Sequence, residues 1–339
     1  MALSRYPGGA LAERLRLNAW ESVVTSRKSG RVARLLDMLS TVISARRSYD
    51  VAIVEAYSGP SFLWAEAVCF LLRCLGKPYA IALHGGDLPN FARRHPGRVR
   101  RLLHSTSAVV SPSNYLIESL AWVREGVEQI PNPVPLERYN FRLREHLAPN
   151  LIWIRAFHQI YNPTLLPQVM ALLKPRFAEL RATMIGLDKG DGSYQATVQE
   201  AKRLGLEDRV TTVLGVPHSE VPARLNTADL FVSTTNFDNT PVSLLEAMAC
   251  GLPVVTTNVG GIPFLFKDKH TAMLVPPGDA ESMADAIAQL LTDDALVRNV
   301  SLNGRKQVES YDWPVVLPKW EKLLNSLITG STRAQHKPA

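Results

Sequence analysis

The sequence predicts an α/β protein built from two doubly wound parallel sheets, and three observations carry that expectation. Short apolar runs alternate with amphipathic helical stretches along the chain, as parallel strands alternate with crossover helices. The alternation stops at Pro131-Asn132-Pro133-Val134-Pro135, a breaker-rich stretch, and then restarts. At 339 residues, 46% of them hydrophobic, the chain exceeds one ordinary domain and holds apolar residues enough for two cores.

In the first half, strands are expected at 22–26, 50–55, 79–83, 108–111 and 128–130, with helices at 31–45 and 61–75 between them. The second half reads as strands at 151–154, 182–185, 210–213, 230–233, 253–256 and 272–275. Its helices fall at 164–173, 194–204, 219–226, 241–250, 279–291 and 294–310. The division is therefore an N-terminal domain of residues 1–140 and a C-terminal domain of residues 141–312. A closing helix within 313–328 packs back toward the first domain, and 329–339 form a tail. Two such sheets place a ligand in the cleft between them, at the carboxyl ends of strands.

Composition narrows the function classes. Three cysteines, Cys69, Cys74 and Cys250, make neither a disulfide framework nor a Cys-x-x-Cys zinc pair, and each reads as a small buried hydrophobe. The N-terminus lacks the apolar core of a secretory signal, and the most hydrophobic run, 62–75, is too short to span a bilayer. A cytoplasmic setting is the expectation. The net charge of +7 sits entirely in residues 1–140, which hold 18 Lys+Arg against 11 Asp+Glu. Its densest part, Arg93-Arg94-His95-Pro96-Gly97-Arg98-Val99-Arg100-Arg101, suits peripheral contact with an anionic membrane or an acidic acceptor, and equally a solvated helix face. Without interleaved aromatics it does not suit nucleic acid.

The most informative stretch runs from Asn236 to Pro253. Thr240 reads as an N-cap with Pro241 at the first helical position, and Gly251 and Pro253 stop the helix. That helix is apolar nearly all round, so its N-terminus at Pro241 and Val242 offers N–H groups and a dipole end to a diphosphate. Glu246 is the odd residue on it. A buried carboxylate needs donors, which ribose hydroxyls, backbone N–H groups or an Arg would supply. Asp238 precedes the helix, placed either to face the same cleft or to cap its own loop.

This segment resembles the signature of family 4 glycosyltransferases, in which two acids eight positions apart flank a Pro-containing helix start, followed by Ala-Met-Ala-x-Gly-x-Pro-Val-Val. Glu246 matches the second acid, which in the family holds the donor ribose. Asp238, one methylene shorter, stands where the first Glu contacts the transferred sugar, with Asn239, Thr240, Pro241 and Val242 beside it. Gly260 and Gly261 resemble the family's Gly-Gly loop, and Val216 ends the strand that lines the base. Arg155 matches the phosphate-binding Arg, although Ile154 replaces the usual Gly before it and no Lys follows; His158 and Tyr161 lie nearby. In the first domain His84, beside Gly85 and Gly86, resembles the family's cleft-facing His. Pro7-Gly8-Gly9 fits the family's N-terminal Gly-Gly donor loop, but only six residues precede it. The first strand of that sheet is therefore expected to be short or missing, with the chain starting late relative to a longer form.

The resemblance implies the GT-B fold and retaining transfer of a sugar from a nucleoside diphosphate to the hydroxyl of a glycan, lipid-linked or small-molecule acceptor. The catalytic set would be His84, Arg155 and Asp238, surrounding the scissile bond. Gly8, Gly9, Arg155, Val216, Asp238, Asn239, Thr240, Pro241, Val242, Glu246, Gly260 and Gly261 would bind the donor. With no Asp-x-Asp motif, no metal and no cofactor are expected beyond the nucleotide sugar as co-substrate. The competing readings are a nucleotide-sugar epimerase of the same fold and a non-catalytic nucleotide-sugar-binding subunit.

Overall fold

The computed structural model describes residues 7–26, 28 and 30–335. The chain divides into two compact units, one running to Asn132 and resuming at Pro314, the other spanning Pro133–Trp313. The sequence placed the first break at 140. The difference has a local cause: Val134 N–H donates to the Tyr311 carbonyl (2.8 Å) and Leu136 N–H to Asp312 Oδ1 (3.2 Å), so the stretch after Asn132 is tied to the second unit.

The first unit begins with α1 (Pro7–Leu17) and α2 (Arg31–Ser44). There follow β1 (Ala52–Ala56), α3 (Phe62–Cys74), β2 (Tyr79–Leu83), α4 (Leu88–Arg94) and α5 (Pro96–Leu103). The remaining elements are β3 (Ala108–Ser111), α6 (Asn114–Leu120) and β4 (Glu128–Gln129). The sheet order is β1-β2-β3-β4, every pair parallel. β2 is buried at every position, as expected of a parallel strand covered on both faces.

Several expectations are corrected here. Residues 22–26 form no strand: Arg16 donates to the Ser22 carbonyl and Ser22 Oγ to the Ala12 carbonyl (3.0 Å), which pins this segment to α1 and leaves Val23 and Val24 exposed. Gly8 and Gly9 lie inside α1 and not in a loop, because Pro7, with its preset φ, starts the helix before them. Cys74 is exposed at the end of α3, whereas Cys69 and Cys250 are buried and burial pushes each thiol up to about 12. The basic run lies across the end of α4 and α5. There Val99, Leu102 and Leu103 face inward, and Arg98 is held by Glu66 through paired bonds of 3.1 and 2.6 Å. Pro89 and Pro96 sit in first turns, where proline is tolerated, and neither of these short helices was among the expected ones.

The second unit carries β5 (Asn150–Ile154), α7 (Leu165–Leu173), β6 (Arg181–Gly186), α8 (Ser193–Arg203), β7 (Val210–Leu214) and α9 (Val221–Asn226). Then come β8 (Leu230–Ser233), α10 (Val242–Ala249), β9 (Val254–Thr257), α11 (Ile262–Leu265), β10 (Met273–Val275), α12 (Ala280–Thr292) and α13 (Asp294–Val308). The closing helix α14 spans Trp313–Gln335. The parallel sheet is ordered β10-β9-β8-β5-β6-β7. Its strands sort their residues by alternation onto two cores. Leu151, Trp153, Ala182, Met184, Leu230 and Val232 face a cluster containing α7 and α12. Ile152, Ile185 and Phe231 face the opposite cluster, built on α10.

The C-terminal end of α10 is stapled by Arg144, a fully buried cation. It donates to the carbonyls of Cys250, Arg142 (2.7 Å) and Ala228 (3.0 Å); the first of these closes α10, where a carbonyl has no intrahelical partner, and the other two tie neighbouring loops to it. Burial pushes its pKa down to about 10, so it stays charged at neutral pH. Gly251 follows at φ +78°, and a Cβ there would lie 2.4 Å from the Arg142 carbonyl. Replacing Arg144 with Met should remove three charge-assisted bonds and cost about 3 kcal/mol, read as a lower urea midpoint at unchanged slope.

Candidate active site

In the order β10-β9-β8-β5-β6-β7 the direction of winding reverses between β8 and β5, where loops part to opposite faces and open a crevice. Arg155 follows β5 directly, and Asp238 lies five residues beyond β8. The two loops are tied together. Asn236 N–H donates to the Ile160 carbonyl (2.8 Å), Thr234 Oγ1 to the Tyr161 carbonyl (2.7 Å), and Trp153 Nε1 to Thr234 Oγ1 (3.0 Å).

Within this clasp the Arg155 guanidinium pairs with Asp238 Oδ2 and lies 4.7 Å from the centre of the Tyr161 ring. Burial lowers the Arg155 pKa, and its Nε has no partner within the described residues. Three glycines make the arrangement possible. A Cβ at Gly186 would lie 1.6 Å from the Arg155 carbonyl; Cβ atoms at Gly260 and Gly261 would lie 2.2 and 1.9 Å from the carbonyls of Asp238 and Asn239. The room left by the Gly-Gly loop is thus taken by the Asp238–Asn239 backbone. Gly261 N–H also donates to the Asp238 carbonyl (2.8 Å).

The helix α10 starts one residue later than expected: Pro241 is the N-cap, with extended backbone, and Thr240 does not cap. Instead Thr240 Oγ1 and Ser243 Oγ are buried without a protein partner, as are Ser233 Oγ and Thr256 Oγ1 on the paired strands behind them. Buried hydroxyls in this state are costly and mark a place for a ligand or water. Asn239 is buried beside them.

Glu246, one turn further, is 6% exposed. Its Oε1 accepts from Tyr139 Oη at 2.7 Å and from His218 Nε2 at 2.9 Å. Neither donor was singled out from the sequence. Tyr139 is 107 positions away with no spacing to reveal it, whereas His218, two residues past the base-lining position Val216, could have been read. Val216 and Val242 are partly buried against the α10 core. His158 accepts a hydrogen bond from Ile160 N–H at Nδ1 (3.1 Å) and caps its own turn.

His84, in the first unit, directly follows β2. It stacks on Tyr57 at 5.1 Å, with Glu55 Oε1 at 4.0 Å from Nε2. Burial pushes its pKa down to about 4, so it is neutral at physiological pH. Gly85 follows at φ +83° and turns the chain. Gly8 and Gly9, being helical, present no loop.

The switch point of this Rossmann-like sheet thus gathers a buried cation, a helix N-terminus and a carboxylate. Residues 148–307 match the sequence profile of the family Glycosyl transferases group 1. Over 120 residues the chain is 39% identical to N-acetyl-alpha-D-glucosaminyl L-malate synthase of Bacillus anthracis, covering 35% of this chain and 31% of that protein. Over 272 residues it is 25% identical to D-inositol 3-phosphate glycosyltransferase of Paenarthrobacter aurescens, covering 75% and 65%. The chain thus spans less than two thirds of either relative's length. The fold is shared with sucrose-phosphate synthase of Thermosynechococcus elongatus, at TM-score 0.78 and 20% identity over 95% of this chain and 93% of that one. Anabaena HepE in complex with UDP and glucose matches at TM-score 0.75 and 17% identity, over 96% and 90%. The α/β fold with two parallel sheets is therefore that of the GT-B glycosyltransferases.

Two outcomes test these placements. Gly186→Ala should drive the Arg155 backbone out of place, lowering the melting temperature and any nucleotide affinity together. For His84 the folded pKa of about 4 lies below the ordinary 6.5, so the unfolded chain binds the proton first. Stability should therefore fall as pH drops from 6.5 toward 4, by roughly 3 kcal/mol in total, and level off below. Urea titrations of His84→Gln across that range should lack this component.

Proposed function

We propose that this chain is a retaining glycosyltransferase of the family 4 kind, moving a sugar from a nucleoside diphosphate to an acceptor hydroxyl. The observation that carries the reading is the set of buried polar atoms without partners at the start of α10, Thr240 Oγ1 and Ser243 Oγ, together with the buried Arg155 at the switch point. The first-turn N–H groups of α10 and the Arg155 guanidinium would meet the charge of a departing diphosphate, as preorganised donors that need no reorientation by water. Glu246 would hold the ribose and Asp238 would contact the transferred sugar. The acceptor would attack the anomeric carbon from the face the diphosphate leaves, with the leaving oxygen taking its proton. His84 would be the third catalytic residue, as the family resemblance implies.

Metal and cofactor independence belong to the same reading. Among the described residues no group of three or more His, Cys, Asp or Glu side chains is placed to hold a metal ion. The reading includes a glycan or lipid-linked acceptor and a cytoplasmic site of action; peripheral contact with an anionic membrane surface is supported by the positive balance of residues 1–140. No helix among the described residues is long and apolar enough to cross a membrane.

A second reading, binding without transfer, is favoured by one observation: Asp238 already neutralises Arg155. A thermal-shift panel of UDP, GDP, ADP and their sugars separates donor binding from its absence. The matching donor at about 100 times its Kd should stabilise the chain by about 2.7 kcal/mol, and Glu246→Ala should abolish the shift. With an acceptor supplied, Arg155→Ala should lower kcat about 10²- to 10³-fold. NMR of the product should show the donor's anomeric configuration; an inverted product would reject the mechanism.

A further inference from the structure

We infer that Tyr139 and His218 are positioning residues for the donor, which fix the Glu246 carboxylate so that one oxygen is occupied and the other is left for the ribose of a nucleoside diphosphate. The inference rests on the donor site proposed above and specifies how its carboxylate is held.

Both donors fall on Oε1, at 2.7 Å from Tyr139 Oη and 2.9 Å from His218 Nε2, while Oε2 accepts no hydrogen bond from the described residues. A buried carboxylate on a helix is free to rotate about its last torsion unless something sets its plane. Two donors converging on one oxygen from separate segments set it. Each donor is also restricted to donating. Burial and the adjacent carboxylate raise the Tyr139 pKa, so the phenol keeps its proton. The hydrogen bond to Glu246 raises that of His218 against the opposing effects of burial and of Arg138, so Nε2 keeps its proton toward the carboxylate.

The two segments are themselves anchored. Tyr139 follows a short turn whose Leu136 N–H is held by Asp312, and its ring packs in the α10 core. His218 opens the turn after β7, beyond Gly215 at φ +71°, whose N–H donates to the Gly186 carbonyl (3.0 Å). The His218 side chain is 62% exposed, although its partner is almost wholly buried. An imidazole reaching in from solvent to a carboxylate contributes little to a core; its place is at the rim of the site.

The test compares ribonucleotides with analogues that cannot use Glu246. Dissociation constants of UDP, GDP and ADP, and of their 2′,3′-dideoxy counterparts, are measured by calorimetry on the wild type, His218→Ala, Tyr139→Phe, His218→Gln and Glu246→Gln. The wild type should prefer its ribonucleotide over the dideoxy form by about tenfold or more. His218→Ala and Tyr139→Phe should each shrink that preference about 3- to 10-fold, through weaker ribonucleotide binding and unchanged dideoxy binding. Tyr139→Phe keeps the buried ring, and His218→Gln keeps an N–H donor and should restore the preference. A purely structural role would weaken both nucleotides alike, and that result overturns the inference. If Glu246→Gln loses the preference but His218→Ala and Tyr139→Phe keep it, the donor site stands and this inference falls. If no nucleotide binds the wild type, the proposed function falls with it.

Discussion

A guanidinium buried at the switch point of a parallel sheet is the constraint from which the rest of the second unit follows. Arg155 cannot sit there without a counter-charge and a surface to lie on, because an unpaired buried cation is too costly. Asp238 supplies the first and the Tyr161 ring the second. To bring them together, the loops after β5 and β8 must be tied along their length, and Thr234, Asn236 and Trp153 do so. The neighbouring strands must then yield space, which is why Gly186, Gly260 and Gly261 have no side chains where backbone carbonyls crowd in. Only then does α10 begin where its N-terminus faces the same crevice.

The same region holds four of the buried hydroxyls left unmet among the described residues. Ser233, Thr240, Ser243 and Thr256 keep buried hydroxyls without partners, whereas at the C-terminal end of α10 the carbonyls of Ala249, Cys250 and Gly251 are met by Arg305, Arg144 and Ser301. One helix therefore shows both conditions: closed where it supports the fold and open where it meets the crevice. That asymmetry fits a site whose polar groups are completed by a ligand, at some cost to stability.

Local physics made much of this legible. Strands 79–83, 108–111 and 230–233 appear with the bounds expected from their apolar runs, and most other strands of the second unit differ by a residue or so at the ends. Buried parallel strands announce themselves because both faces must be apolar. Glu246 stood out because a lone carboxylate on an apolar helix demands an explanation. The short helices α4, α5 and α6 did not stand out, since seven or eight residues hold few periods and α4 and α5 carry prolines in their first turns. Residues 22–26 carried a strand-like pattern, but bonds between this segment and the neighbouring α1, through Arg16 and Ser22, decided against it.

By itself, then, the sequence determined the alternation of strands and helices, the apolar character of α10 and the types of residue gathered around its start. These depend on spacing within one or two turns. Only the tertiary structure decided that the Gly-Gly loop makes room for the Asp238 backbone, that Arg155 spends its charge on Asp238, and that Tyr139 and His218 share one oxygen of Glu246. Those contacts join segments 107, 83 and 28 positions apart, the middle figure being the separation of Arg155 and Asp238. No local pattern encodes such pairings; the strand order that reverses beside β5 brings them together.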